Sequence, residues 1–297
     1  MNILITGAYG FVGTNLCRHL AAHGHACDAL DVPSARRADV PYARFFPWDE
    51  LTDGGESFVA RNSYDAVVHL AGKAHDLRKV ASEQEYFDVN VGLTRRIFAA
   101  AEGKVPRFVY FSSSKASADG NAYGRSKLAA EQFLDGRAIV LRPAMIHGPG
   151  NKGNLNLLWG IAGRGLPWPL AAFGNRRSFT AIGNVCAAVE ELCARGVNGI
   201  YPIADDETVS TNRLIELIAE SRGRKARLWR LPRGLMRFAA RTGDVLRLPL
   251  NTERLGKLTE DCIVDNSALK RLLGWEKMPV SAEDGFRNTL ASFRDGR

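Results

Sequence analysis

At 297 residues, 45% hydrophobic and 24% charged, the chain suits one large domain or a domain with a smaller companion, and its composition is that of a soluble globular protein. No apolar run approaches the ~20 residues that span a bilayer. The opening MNILITGAYGFVG lacks a basic leader and a small-residue cleavage site, so a cytoplasmic protein is expected. The net charge of +8 is local: residues 222–247 hold nine basic side chains against one acid, Asp244, so a nucleic-acid-binding surface is not expected.

In chain order, NILIT (2–6) reads as a buried strand and 11–23 as a helix opened by glycines. CDALD (27–31), DAVVHLAG (65–72), RFVYFSS (107–113) and AIVLRP (138–143) read as further strands. Between them, residues 85–102 and 122–134 carry apolar side chains at helical spacing. Strand–helix alternation of this kind predicts an α/β fold with a parallel, doubly wound sheet. After about residue 148 the rhythm breaks into glycine- and proline-rich loops, followed by a helix at 183–195, a strand at 199–204 and a helical, basic end. The expected division is a dinucleotide-binding domain over 1–165, with 176–204 returning to it, and a mostly helical substrate-binding cap over 205–297.

The five cysteines show no metal spacing and read as reduced thiols. His19, His23 and His25 lie in RHLAAHGHA, where no acid or cysteine accompanies them. They read as histidines placed at a helix C-terminus, where the dipole favours them, and no metal site is expected.

Gly7, Gly10 and Gly13 form G-x-x-G-x-x-G between the first strand and the first helix. There, glycines let the backbone approach a pyrophosphate whose charge the helix N-terminus stabilises. Asp31 ends the second strand, 24 residues after Gly7. Its carboxylate suits an adenosine ribose and repels a 2′-phosphate, which favours NAD; Arg36 and Arg37 keep NADP as the alternative. Tyr123 and Lys127 share a helix face, and Ser113 ends a strand. A tyrosine beside an ammonium can exchange a proton with a sugar hydroxyl while a serine holds the reacting oxygen.

GAYGFVG, HLAG, Asn90 in DVNVGLT, FSSS, YGRSK and LRPAMIHGPG together resemble the extended short-chain dehydrogenase/reductase family, over nearly the whole chain. More narrowly, the chain resembles that family's nucleotide-sugar epimerases, dehydratases and 4-keto reductases. The resemblance implies that Ser113, Tyr123 and Lys127 are catalytic. It assigns to the cofactor Gly7, Tyr9, Gly10, Phe11, Val12, Gly13, Asp31, Asp49, Leu70, Ala71, Gly72, Lys73, Asn90 and Pro143, beside Tyr123 and Lys127. It assigns to the substrate Ser113, Ser114, Asn154, Arg177 and Arg254, and it implies a homodimer paired through the helices at 85–102 and 122–134.

Only nine residues separate Ser113 from Tyr123, where relatives usually carry a loop more than twice as long. Ser114 and Lys115 stand where the family's dehydratases have an acidic pair, which argues against dehydration. His147 has no nearby cysteine, which argues against 3,5-epimerisation. The expectation is an NAD-dependent UDP-sugar 4-epimerase, with an NAD(P)H-dependent 4-keto reductase as the alternative suggested by the GPGNKGN–RRSF arrangement and the C-terminal sequence. The complete trio argues against a catalytically silent redox-sensing or RNA-binding relative.

In the basic segment, Arg233, Arg237 and Arg241 recur at four-residue spacing after Pro232. Either this is a cap helix packed through Leu235, Phe238 and Ala239, or 232–247 is an amphipathic element resting on anionic membrane.

Overall fold

The computed structural model describes all residues except 52–57, 75–81, 152–154, 247, 249 and 296–297. Its strands are β1 (Asn2–Thr6), β2 (Ala26–Asp31), β3 (Arg44–Pro47), β4 (Ala66–His69), β5 (Arg107–Phe111), β6 (Ile139–Pro143), β7 (Met145–His147), β8 (Phe179–Ala181) and β9 (Gly199–Ile203). Its helices are α1 (Phe11–Ala22), α2 (Phe58–Arg61), α3 (Glu83–Phe87), α4 (Leu93–Ala101), α5 (Ala122–Leu134), α6 (Leu155–Gly163), α7 (Ile182–Arg195), α8 (Thr211–Ser221), α9 (Arg233–Leu246), α10 (Thr252–Thr259), α11 (Ser267–Leu273) and α12 (Ala282–Asp295).

Two compact units result. The first comprises Met1–Ala144, Ile182–Ala204 and Asp265–Pro279; the second comprises Met145–Ala181, Asp205–Val264 and Val280–Arg297. Residues 145–165 therefore group with the second unit, and 265–279 with the first.

The first unit is built on a seven-stranded sheet of order β3-β2-β1-β4-β5-β6-β9, parallel at every pairing. Ile3, Leu4 and Ile5 are fully buried in succession, as a parallel strand covered on both faces requires. Tyr110, Phe58, Ile97 and Leu134 are among the side chains that fill one core cluster of this unit. Strand order runs outward from β1 in both directions, so the chain switches direction between β1 and β4. The crevice beyond the carboxyl ends of those strands is where such sheets take ligands.

Two features escaped the sequence reading. The edge strand β3 is four residues long and carries a proline, too short for alternation to register. The expected helix at 85–102 is interrupted by a π-helical turn over Asp88–Gly92, which holds Asn90. Such turns recur at functional sites because the wide turn re-aims a side chain.

In the second unit, the two-stranded parallel sheet β7/β8 and the surrounding helices enclose a separate core that includes Trp159, Trp168, Phe173, Leu214, Ile218 and Phe286.

Candidate active site

The glycine loop is shaped by close backbone approaches. Gly7 has φ +64, and a Cβ there would stand 2.8 Å from the backbone of Ala71. A Cβ on Gly13 would meet the Ala8 carbonyl oxygen at 2.3 Å. Neither position admits a side chain without moving main chain. Gly10 starts α1 with no side-chain cap, which leaves the helix N-terminus, flanked by Tyr9, Phe11 and Val12, suited to an anion. The Tyr42 hydroxyl lies 2.7 Å from the Ala8 carbonyl and 3.0 Å from that of Gly13. Burial pushes its pKa up, so it remains a donor. Nothing in the loop sequence PYAR marked Tyr42 for this role.

Asp31, at the end of β2, accepts hydrogen bonds from the backbone N–H of Tyr9 at 2.9 Å and of Val32 at 2.8 Å. It thus braces the glycine loop as well as offering a carboxylate at the crevice. Of the two arginines considered for a 2′-phosphate, Arg37 pairs with Asp39 at 2.7 Å, while the Arg36 guanidinium lies over the Phe45 ring at 5.4 Å. Asp49 sits in an exposed 3-10 turn directly after β3, on the same sheet end.

Below Leu70 and Ala71 runs a buried chain of hydrogen bonds. The Thr6 hydroxyl oxygen accepts from Ala71 N–H at 3.2 Å and lies 2.6 Å from His69 Nδ1. His69 Nε2 lies 3.0 Å from the Thr94 oxygen, and the Thr94 hydroxyl donates to the Asn90 carbonyl at 2.6 Å. With that proton committed, His69 Nε2–H donates to Thr94 and Nδ1 accepts from Thr6. Burial first, then Lys127, lowers the His69 pKa to about 3, which keeps the ring neutral. Asn90 Oδ1 accepts from Lys73 N–H at 2.8 Å, and its Nδ2 donates to the Lys73 carbonyl at 3.1 Å and Ser126 at 2.9 Å. Ala71, Gly72 and Lys73 are thereby fixed against the π-helical turn.

Helix α5 carries Tyr123 and Lys127. Asn121 caps it by accepting from Gly124 N–H at 3.0 Å, and a Cβ on Gly124 would strike the Lys115 carbonyl at 2.4 Å. The short Ser113–Tyr123 connection therefore folds tightly onto the start of α5. Lys127 Nζ is buried, donates to the Phe111 carbonyl at 2.8 Å and stands 4.8 Å from the Tyr110 ring centroid. Burial lowers its pKa to about 8, against the pull of Glu131. Tyr123 is shifted up by burial, with hydrogen bonding to Ser113 acting in the opposite direction and Tyr86 adding to the rise.

This arrangement refines the expectation for Lys127. The groups that move the Tyr123 titration are Ser113 and Tyr86 beside burial; the ammonium is aimed at Phe111, and its Nζ would lie 3.2 Å from a Cβ on Gly72. Ser112, in contrast to Ser113, is buried against Glu131, which also pairs with Arg142. Ser114 is exposed, and its N–H donates to the carbonyl of Pro143 at 3.0 Å.

Of the remaining substrate candidates, Asn154 lies outside the described residues. Arg177, in the second unit, donates to the Lys257 carbonyl. Arg254, also there, is exposed in the first turn of α10.

A switch-point cradle of glycines, a carboxylate ending β2 and a Ser–Tyr–Lys group beyond β5 define a dinucleotide-dependent enzyme of the short-chain dehydrogenase/reductase kind. The chain belongs to the NAD dependent epimerase/dehydratase family, whose profile matches residues 3–204. NAD is the cofactor which that membership implies, and the glycine cradle and Asp31 fit it. The chain is 26% identical to a UDP-glucose 4-epimerase of Vibrio cholerae, over 98% of this chain and 95% of that one. It is 28% identical to the N-acetyl-alpha-D-glucosaminyl-diphospho-ditrans,octacis-undecaprenol 4-epimerase of Escherichia coli O157:H7, over 82% of this chain and 80% of that one. Among solved structures it is similar to the Bordetella bronchiseptica enzyme WbmG in complex with NAD and UDP, with a TM-score of 0.73 and 21% identity, covering 99% of this chain and 94% of that one.

Proposed function

We propose that this enzyme is a cytoplasmic UDP-sugar 4-epimerase, acting on a UDP-hexose or UDP-N-acetylhexosamine. The observation that carries the reading is the Ser113–Tyr123–Lys127 group beside a glycine cradle braced by an acid at position 31 rather than by a free arginine. Bound NAD would supply reversible hydride acceptance at C4. Gly7, Gly10, Gly13 and the start of α1 would hold its pyrophosphate, Asp31 and Asp49 its adenosine end, and Leu70–Lys73, Asn90 and Pro143 its nicotinamide end.

The chain's own part is proton handling. Burial raises the pKa of the Tyr123 phenol, and Ser113 acts against that rise and so favours the phenolate. As the phenolate, its own proton given up to solvent beforehand, Tyr123 Oη takes the proton from the sugar O4 as hydrogen leaves C4, and gives it back to O4 when hydrogen returns to the opposite face of C4, with Ser113 steadying that oxygen. Lys127, anchored to the Phe111 carbonyl, has further N–H donors for the ribose hydroxyls of the cofactor. The substrate diphosphate is assigned to Arg177 and Arg254, with Asn154. A panel of UDP-glucose, UDP-galactose and their N-acetylamino counterparts, incubated with NAD and no reduced cofactor, should show interconversion by NMR. No conversion of any member would remove the 4-epimerase assignment.

Cofactor choice rests on Asp31. In Asp31→Ala the carboxylate's bonds to Tyr9 and Val32 disappear along with any to the ribose. Since hydrogen bonds to charged groups contribute ~1.5–3 kcal/mol each, NAD affinity should fall by at least roughly tenfold, and the preference over NADP should shrink. Fluorescence titration reads both; a wild-type enzyme that binds NADP more tightly than NAD would contradict the assignment.

The proposed dimer pairs the helices at 85–102 and 122–134 of two copies, as the family resemblance implies, and light scattering at micromolar concentration should give twice the chain mass. A monomer at that concentration would contradict it.

For the basic segment, the structure corrects one expectation. Helix α9 packs through Met236, Ala240 and Gly243, whereas Leu235 and Phe238 are 53% and 69% exposed. Val245 and Leu246 are exposed as well, so an apolar stripe points away from the core. Arg233, Arg237 and Arg241 line a cleft of about 410 Å³ on the helix's flank. Apolar outward residues beside a row of cations match an anionic bilayer surface. Co-sedimentation with phosphatidylglycerol vesicles should show binding at low salt that fades at physiological ionic strength, since each basic residue contributes ~1 kcal/mol and is screened. It should weaken when the three arginines become glutamine. Absence of binding at low salt would contradict membrane docking.

A further inference from the structure

The stretch RHLAAHGHA that holds His19, His23 and His25 contains no acid, yet the fold brings one to them. Glu190, on α7, is directed at all three. Its Oε2 lies 2.8 Å from His19 Nε2 and 2.7 Å from His23 Nδ1, and its Oε1 lies 3.0 Å from His25 Nε2.

Local geometry explains the convergence. His19 and His23 are one turn apart at the end of α1, so their rings project from one face, edge to face with centroids 4.3 Å apart. Gly24, at φ +78, then turns the chain back. His25 N–H bonds to the Leu20 carbonyl at 2.9 Å, and this return places the His25 ring on the same carboxylate. Burial alone would raise the Glu190 pKa, but hydrogen bonds from His23, His19 and His25 outweigh it and hold the group below its ordinary value.

We propose that His19, His23, His25 and Glu190 form a binding site for a divalent transition metal of the Zn²⁺ class. Three imidazole nitrogens and one carboxylate oxygen make a four-ligand set of the kind that zinc takes tetrahedrally, and the mixed N/O chemistry disfavours calcium or magnesium. The ligand atoms of His19, His23 and Glu190 all lie within 4.8 Å of one another. His25, which contacts the other carboxylate oxygen, stands outside that group, so closing a shell of ~2.0–2.1 Å bonds would have to bring its ring inward toward the other two. The His23 side chain is 50% exposed, so it gives an ion a route in.

The ion would staple the end of α1 to α7. Eight residues, ~12 Å of helix, separate Phe11 at the glycine loop from His19. The ion therefore takes no part in the proton handling proposed for Tyr123. A metal bound only to the folded chain stabilises it by mass action.

The alternative is a carboxylate that merely accepts hydrogen bonds from three histidines and holds no ion. Calorimetric titration with ZnCl₂ separates the two, using untagged, chelator-stripped full-length protein carrying Cys262→Ser to remove the exposed thiol. Saturable binding of one equivalent and a Zn²⁺-dependent rise in Tm are expected. Affinity should drop by more than the ~10–100-fold that even outer ligand contacts cause in His19→Asn/His23→Asn and in Glu190→Gln. Should the double variant fold poorly, His23→Asn alone should show the same loss, since its side chain is half solvated. X-ray absorption should find N/O neighbours at ~2.0–2.1 Å. No saturable binding by the parent protein, or binding and Tm rise undiminished in the variants, would overturn the site.

Discussion

Tyr123→Phe should lower turnover by ~10²–10⁴-fold, the usual contribution of a positioned acid–base group, while leaving NAD affinity unchanged. The change removes one oxygen from a ring that is otherwise held by packing, including the Tyr86 ring at 6.4 Å between centroids. Because burial raises the Tyr123 pKa and Ser113 acts against that rise, Ser113→Ala should shift the acidic limb of the pH–rate profile, where the phenolate is lost to protonation, to higher pH as well as slow turnover. Stopped-flow rates and cofactor titrations on both variants separate chemistry from binding. Full activity in Tyr123→Phe would remove that phenol from the mechanism.

Glu131→Ala should destabilise the enzyme by about 3 kcal/mol. The Glu131 side chain is 2% exposed and pairs with Arg142, with Arg142 Nε at 2.9 Å, while Ser112 donates to it from the adjacent strand end. Truncation strands a partly buried guanidinium and a buried hydroxyl; losing one partner of a buried pair costs ~3–5 kcal/mol. Since the Arg142 side chain keeps 27% exposure, water recovers part of that, so the lower figure is expected. Glu131 lies one turn beyond Lys127 on α5, so the same change should loosen the helix that aims Tyr123. A lower urea midpoint with reduced turnover is the expected pair of results, and Glu131→Gln, which still accepts from Ser112, should lose less. An unchanged midpoint in Glu131→Ala would show that α5 does not depend on this network.

The sheet was legible because its strands are apolar throughout and separated by amphipathic helices, so period and spacing agreed. The glycines, Tyr123 and Lys127 were legible for a related reason: each stands at a strand–helix junction or helix face that local sequence defines. What escaped depends on partners distant in the chain. The His69–Thr94–Asn90 relay joins β4 to a π-helical turn that a helical pattern conceals. Glu190 is 165 residues from His25, so the histidines looked unaccompanied until α7 was seen beside α1. In α9 the sequence pointed to Leu235, Phe238 and Ala239 as the packed face, and only the structure showed that Met236 and Ala240 face inward while Phe238 faces out. The spacing puts Lys127 on the α5 face that carries Tyr123, but its ammonium donates to the Phe111 carbonyl, a direction that residue spacing does not encode.

The proposed 4-epimerase would remove hydrogen from C4 of a UDP-sugar and return it to the opposite face at one site. The direct measurement uses UDP-sugars deuterated at C4, incubated with purified enzyme and NAD, and followed by NMR and mass spectrometry. The C4 epimer should form with deuterium still at C4, without added reduced cofactor and without hydrogen entering from solvent. A 4-keto substrate consumed in step with added reduced cofactor, with no epimer formed from any labelled sugar, would contradict the 4-epimerase proposal.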